Sequence, residues 1–329
     1  MIASDAPVVT VLCGESRPPD MQPIEAAAVV RYTDARELSE ALTGADVLFV
    51  YDFLSTAVPG AWHAAGRLRW LHIASAGVDP VMFPALRESD VVLTNSRGVF
   101  DGAIAEYVLG VILAFAKDFA RSLDLQRART WRHRESERVA GCDVLIVGTG
   151  PIGRAIARLL RSAGMRVRGA GRRARDDDPD FGVVHDAAAL ARYLPEADYV
   201  VAVAPLTEQT KGMFDAAAFA AMKPAARFIN VGRGELVVTS DLITALSRGA
   251  LAGAALDVFD TEPLSPESPL WTMPDVLVSP HMSGDFAGWR NALVEVFAEN
   301  LRRWRAGEPL RNVVDKSLGY VPSESQGNR

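Results

Sequence analysis

Three side chains in the second half of the chain, Arg233, Glu262 and His281, are of the types that acid–base chemistry on a small carboxylate needs. An imidazole changes charge near neutral pH and can give or take a proton there. A carboxylate beside it stabilises the imidazolium and raises its pKa. A guanidinium holds a carboxylate and polarises a carbonyl. Taken singly, each has an ordinary alternative: an arginine after a turn, a carboxylate before Pro263, a histidine in a loop. Their contexts set them apart. Arg227–Val231 leads into Asn230-Val-Gly-Arg233, Gly253–Val258 into Asp257 and then Glu262-Pro263, and Val276–Ser279 into Pro280-His281-Met-Ser-Gly284. Each run is short and apolar and reads as a strand, with its reactive residue just past the carboxyl end.

A second feature supplies a partner for this chemistry. Asp143–Val147 runs directly into Gly148-Thr-Gly150-Pro151-Ile152-Gly153, followed by Ile156, Leu159 and Leu160 at helical spacing. Between a strand and a helix each glycine of GxGxxG has a reason: a tight turn, room for a pyrophosphate against the main chain, and close helix–strand packing. Pro151 suits a first helical turn, and the helix N-terminus presents unpaired N–H groups to phosphate. The next strand, Arg166–Ala170, should end at the adenosine ribose, where an acidic residue marks NAD selectivity. This chain has Gly171 there, followed by Arg172, Arg173 and Arg175. A glycine removes repulsion of a 2′-phosphate and adjacent guanidiniums can bind it, so NADP(H) is favoured, with NAD(H) and a merely solvated basic turn as alternatives.

The elements that must position these residues alternate almost from end to end. Val8–Leu12, Asp46–Val50, Trp70–Ala74 and Val91–Thr94 read as strands, with helix-like segments near 35–43, 59–66 and 79–88. A second series comprises Asp143–Val147, Arg166–Ala170, Tyr199–Ala204, Arg227–Val231, Gly253–Val258 and Val276–Ser279. Such alternation predicts an α/β chain of two doubly wound parallel sheets. A long helix at about 101–129, with Asp101 as its N-cap, and another at about 286–306 divide the series. The expected arrangement is a dinucleotide-binding domain, 99–286, inserted into a discontinuous substrate domain, 1–98 plus 287–329. In open sheets of this kind ligands bind outside the carboxyl ends of the strands, so Arg233, Glu262 and His281 converge where a nicotinamide would lie.

Composition excludes other classes. The net charge of -6 and a pI near 5.5 argue against a nucleic-acid partner. Cys13 and Cys142 have no CxxC partner, so neither a disulfide scaffold nor a zinc site is expected. The first residues carry no signal-peptide pattern, and the apolar stretch Tyr107–Ala116 is too short to span a membrane. A soluble, cytoplasmic protein is expected. His63 and His133 read as surface positions, His72 as a strand residue and His185 as part of a turn.

The trio in these contexts resembles the D-isomer-specific 2-hydroxyacid dehydrogenase family, closest to its glyoxylate/hydroxypyruvate reductases. The resemblance runs over nearly the whole chain. It takes in Ser75-Ala-Gly-Val-Asp79, the stretch from Asn95 to Glu106, the glycine loop, Pro205-Leu-Thr-Glu-Gln-Thr210 and the three strand-end segments. It implies a Rossmann domain, a flavodoxin-like substrate domain and hydride transfer between NAD(P)H and a small 2-keto acid, giving a D-2-hydroxy acid. It implies His281 as proton donor, Glu262 as its partner and Arg233 as carboxylate holder. Main-chain N–H groups around Ala76, Gly77 and Val78 would grip the carboxylate, and Pro205, Thr210, Val231, Gly232, Asp257 and Gly284 would join the glycine loop around the cofactor. A homodimer is implied too, and in some similar reductases a tryptophan near Trp131 reaches the neighbouring subunit. Gly171 departs from strictly NAD-dependent members, and Ser279 stands where formate dehydrogenases have glutamine. Two alternatives stay open: a non-enzymatic dinucleotide sensor resembling corepressors, and oxidation of an inorganic oxyanion such as phosphite.

Overall fold

The structure, a computed structural model, describes residues 6–14 and 16–322. The start of the chain at residues 1–5 and the polar tail at 323–329 lie outside them, so the signal-peptide and tail readings rest on sequence alone. The chain divides into two compact units, Met1–Val99 with Phe286–Arg329, and Phe100–Asp285.

The first unit is built on five parallel strands, β1 (Val8–Leu12), β2 (Val29–Thr33), β3 (Val47–Val50), β4 (Trp70–Ile73) and β5 (Val92–Asn95), in the order β2-β1-β3-β4-β5. This is the flavodoxin-like order. β3 and β4 are buried along their whole length, as strands covered on both faces must be. β2 is an edge strand with an exposed Arg31 and no continuous apolar run, which is why apolar patterning did not reveal it. One sheet face packs on Leu38, Val58, Val81 and Leu86. On the other, Phe297 of the helix Trp289–Ala306 stacks on Phe49 at 4.1 Å and on Trp70 at 5.1 Å. His72 lies fully buried beside these rings, bonded to Thr94 and Ser96, and burial pushes its pKa down to about 3.

Three helix readings are corrected here. The last helix starts at Trp289 rather than near 286, because Gly288 takes the left-handed conformation (φ 93°). The segment near 59–66 is a short α turn, Val58–Ala61, running into a 3-10 turn, Trp62–Ala64. That near 79–88 is a 3-10 turn, Asp79–Val81, then a helix opened by Pro84.

The second unit carries eight strands: β6 (Asp143–Val147), β7 (Arg166–Gly171), β8 (Arg175–Asp178), β9 (Gly182–Asp186), β10 (Tyr199–Ala202), β11 (Arg227–Asn230), β12 (Gly253–Leu256) and β13 (Val276–Val278). Their order is β13-β12-β11-β10-β6-β7-β9-β8, parallel throughout except for the antiparallel β8–β9 pair. Neither β8 nor β9 was read from sequence, since Arg-Asp-Asp-Asp of β8 has no apolar residue. His185 accordingly sits in β9 and not in a turn, its ring 3.7 Å from that of Tyr193. The helix read as 101–129 is two, Asp101–Ala116 and Phe119–Arg127, broken at Asp118, which adopts a left-handed conformation (φ 51°) that aspartate tolerates. Asp101 is the first helical residue and not the cap, a position held by Phe100.

Candidate active site

The carboxyl edge of the second sheet carries, in spatial order, the loops after β13, β12, β11, β10 and β6, so five separate sequence segments meet along one rim. At the β6 end, Gly148 has φ 121°, and a Cβ there would lie 2.6 Å from the main chain of Val203 and Ala204. A Cβ on Gly153 would lie 2.0 Å from the Gly148 carbonyl oxygen, so only glycine lets the helix Pro151–Ser162 start this close to the strand. Gly150 is different: a Cβ there meets nothing within 4 Å. The open space lies in front of a helix whose first turn has neither a capping side chain nor an acid. Pro151 and Ile152, half-buried, form that turn. These residues fit a pyrophosphate, which the main-chain N–H groups and the helix dipole would hold.

The ribose end holds a feature not read from sequence. Cβ atoms on Gly169 and Gly171 would lie 3.0 Å from Thr149 Cγ2 and 2.7 Å from Thr149 Oγ1. The β7 glycines therefore make room for the middle residue of the phosphate loop. Arg172 and Arg173 are exposed just beyond β7, whereas Arg175 is engaged: its Nε donates to Asp178 at 2.7 Å. Arg154 donates to the same carboxylate and to Asp180. Burial raises the Asp178 pKa, but the hydrogen bonds from Arg154, Arg175 and two main-chain N–H groups outweigh it and hold the carboxyl well below its ordinary range. After β10, Thr210 Oγ1 donates to the Pro205 carbonyl at 2.7 Å and closes that loop on itself.

Past β11, the Asn230 side chain pins the turn from both sides, accepting from Gly232 N–H at 3.1 Å and donating to the Arg233 carbonyl at 2.9 Å. Val231 and Gly232 are buried. A Cβ on Gly234 would lie 1.8 Å from the carbonyl carbon of Phe259, so the β11 loop rests directly on the main chain of the β12 loop. That contact places Arg233 beside Glu262. The Glu262 carboxylate accepts from Phe259 N–H at 2.9 Å through Oε1 and meets His281 Nδ1 at 2.8 Å through Oε2. Burial raises the Glu262 pKa, yet the His281 and Phe259 hydrogen bonds and the charges of His281 and Arg233 bring it below the ordinary value. With Nδ1 facing Glu262, Nε2 is the ring nitrogen left to face a reactant.

His281 itself has φ 51°, an uncommon conformation for a residue with a Cβ. Its N–H donates to the Asp257 carbonyl at 2.7 Å. The Asp257 side chain, in a residue 1% exposed, accepts from Ser279 Oγ at 2.5 Å, Met282 N–H at 2.9 Å and Ser283 N–H at 2.8 Å. Tyr107 OH and Ser279 Oγ are 2.6 Å apart and extend the network. Asp257 is thus engaged by the chain's own loop, which gives it a positioning role on His281 beside its expected contact with the cofactor. Gly284 sits against the ring of Phe100, where a Cβ would come within 2.9 Å. Ser279 and Asn230 have no motif of their own and only their position beside strand ends hinted at them, while Tyr107, inside the helix Asp101–Ala116, gave no signal.

In the first unit, the loop after β4, residues 75–78, is fixed by two side-chain hydrogen bonds. Asn95 Nδ2 donates to the Ala76 carbonyl at 2.6 Å and Ser75 Oγ to the Gly77 carbonyl at 2.5 Å. With both carbonyls tied down, the N–H groups of Ala76, Gly77 and Val78 donate to no other described residue.

A Rossmann sheet with a phosphate-fitting glycine loop and a histidine–carboxylate pair on the same rim defines a nicotinamide-dinucleotide-dependent oxidoreductase. Residues 109–283 match the family described as D-isomer specific 2-hydroxyacid dehydrogenase, NAD binding domain, and the chain belongs to that family. A glyoxylate reductase of Thermococcus gammatolerans is 30% identical over 286 residues, covering 84% of this chain and 85% of its own. Among solved structures, an NADPH-dependent glyoxylate/hydroxypyruvate reductase from Sinorhizobium meliloti, in complex with NADP and sulfate, is 31% identical with a TM-score of 0.81, covering 96% of this chain and 100% of that one. A D-isomer specific 2-hydroxyacid dehydrogenase from Xanthobacter autotrophicus, in complex with NADPH and MES, is 30% identical with a TM-score of 0.82 and the same coverage. Among the described residues no helix is long and apolar enough to cross a membrane.

Proposed function

We propose that the enzyme is an NADPH-preferring reductase of small 2-keto acids, of which glyoxylate and hydroxypyruvate are the type substrates, yielding D-2-hydroxy acids. The observation that carries this is the Glu262–His281 pair with Nε2 outward, next to Arg233 and on the rim that holds the glycine loop. The residues Gly148–Gly153 would hold the dinucleotide by its pyrophosphate, and its reduced nicotinamide would supply the hydride. Arg233 holds the substrate carboxylate and polarises the carbonyl, together with the N–H groups of Ala76, Gly77 and Val78. His281 delivers the proton to the carbonyl oxygen from Nε2, and the Glu262 carboxylate on Nδ1 stabilises the imidazolium until it does. Arg172 and Arg173 take the 2′-phosphate, and Gly171 places no carboxylate of its own at that strand end.

The same reading includes a homodimer. Trp131 is fully exposed, with Phe119 and Leu123 half-exposed on the helix before it, an apolar set that a second copy would cover. Operation in the cytoplasm, where reduced nicotinamide is regenerated, goes with the cofactor choice. The test is the initial rate of NADPH or NADH oxidation with glyoxylate, hydroxypyruvate, pyruvate and bulkier 2-keto acids. Turnover favouring NADPH supports the reading, turnover with NADH alone overturns the cofactor assignment, and no turnover with either overturns the reductase assignment.

A further inference from the structure

The first unit holds a cavity of about 400 Å³ that the reaction chemistry above does not use. Arg17 and Arg290 line it from opposite segments, the loop after β1 and the start of the helix Trp289–Ala306, with Trp289, Asn291 and Phe286 between them. Neither arginine has an ion pair among the described residues, although most of the paired acids in this chain are claimed by arginine. Both are exposed, and each lies over an aromatic ring. The Arg17 guanidinium lies 4.5 Å from the centre of the Tyr32 ring, which is itself anchored by a 2.6 Å hydrogen bond to Glu25. The Arg290 guanidinium lies 5.2 Å from the Trp289 ring, which packs edge-on against Phe53 just past β3. Asp20, an acid in the Arg17 loop, accepts a hydrogen bond from Asn291, so it braces the two walls against each other. The helix that opens into the cavity has no acid and no capping side chain in its first turn, so its dipole adds to the positive field.

The position of this cavity in the sheet gives it a purpose. It lies past the carboxyl ends of β1 and β3, and β3 is the neighbour of β4, whose end carries the Ala76–Val78 loop. With adjacent strands about 4.8 Å apart, the β1 and β4 ends are separated by roughly 10 Å. A 2-keto acid of about five or six carbons places its two ends roughly 6 Å apart, and the length of an arginine side chain closes the remainder. We propose that Arg17 and Arg290 bind a second anionic group, carboxylate or phosphate, at the far end of a 2-keto acid whose first carboxylate sits on Ala76–Val78. The inference rests on the reductase reading of the preceding subsection and narrows it: the substrate class is 2-keto acids with an anionic tail. Two guanidiniums suit that task, since each offers a planar fork of N–H donors.

The experiment compares kcat/KM of the intact enzyme for pairs of equal carbon number that differ in the tail: 2-oxoglutarate against 2-oxopentanoate, and phosphohydroxypyruvate against hydroxypyruvate. The first pair reads a carboxylate tail, the second a phosphate. A preference of about tenfold or more for one anionic member is expected, reduced about tenfold by Arg17→Leu or Arg290→Leu and partly restored by Arg290→Lys. Equal rates within both pairs, or variants that lower both members alike, overturn the inference while glyoxylate turnover leaves the reductase reading standing. If no 2-keto acid is turned over, the reductase reading is what has failed. Calorimetric titration of glutarate then decides the site: binding to the wild type but not to the Arg17→Leu/Arg290→Leu double variant supports it, and binding to neither overturns it.

Discussion

The main-chain N–H of His281 donates to the carbonyl of Asp257 at 2.7 Å, while the Asp257 carboxylate takes the next two N–H groups, of Met282 and Ser283. One buried residue therefore fixes three consecutive peptide units around the His281 imidazole. The left-handed backbone of His281 (φ 51°) is held there by these bonds rather than by its own preference.

Replacing His281 with alanine should lower kcat by roughly two to four orders of magnitude, the range for a general acid, with NADPH affinity by fluorescence titration little changed. A near-normal rate in this variant would remove the histidine from the mechanism.

Asp257→Asn should separate positioning from chemistry. An amide offers one acceptor where three donors converge, so at least one N–H or hydroxyl is left without a partner at a cost of about 1–3 kcal/mol. The expected result is a lower Tm and a kcat reduced about tenfold with KM for the keto acid nearly constant, since the proton donor is displaced and the carboxylate grip is not. A rise in KM alone would place Asp257 in binding instead.

Cofactor preference should not reverse through Gly171→Asp alone. The new Cβ would lie 2.7 Å from Thr149 Oγ1, so the single variant is expected to bind both dinucleotides poorly. Combined with Thr149→Gly, which clears that space, the aspartate can accept from a ribose hydroxyl and repel a 2′-phosphate. Kinetics with NADH and NADPH read the outcome, and efficient NADH use by the single variant would show that the Thr149 contact is unimportant.

Acid sensitivity should come from two buried groups in two windows. His72 is neutral in the fold, with a pKa pushed down to about 3, whereas the unfolded chain protonates it near 6.5. The unfolded state therefore binds the extra proton, and stability falls as pH drops from about 6.5 towards 3. Asp178, held ionised by Arg154 and Arg175, adds a second loss once pH falls below the ordinary carboxylate range of about 3.9. Tm against pH for the wild type and His72→Asn checks the first window. The variant's slope between about pH 6.5 and 5 should be shallower, and identical slopes would exclude His72 as the cause.

The sequence made the main strands of both sheets and the rim residues legible because buried parallel strands are apolar runs and their reactive residues follow at once. Arg233, Glu262 and His281 come together for that reason. What escaped was whatever lacks an apolar signal: β2 at a sheet edge, β8 with its Arg-Asp-Asp-Asp, and the helix break at Asp118. Asp257 was legible only in part. Its place at a strand end marks it as functional, but its hold on the His281 loop shows only in the side-chain geometry. Thr149 was invisible because its role depends on two glycines in a neighbouring strand.

Gly234 resting on the main chain of Phe259 carries a consequence for how the protein can change over evolutionary time. Because the β11 and β12 loops meet through backbone atoms, any side chain at position 234 would drive them apart, and that position is closed to drift. An exposed position on the same rim, such as Met282, carries no such constraint and is free to vary.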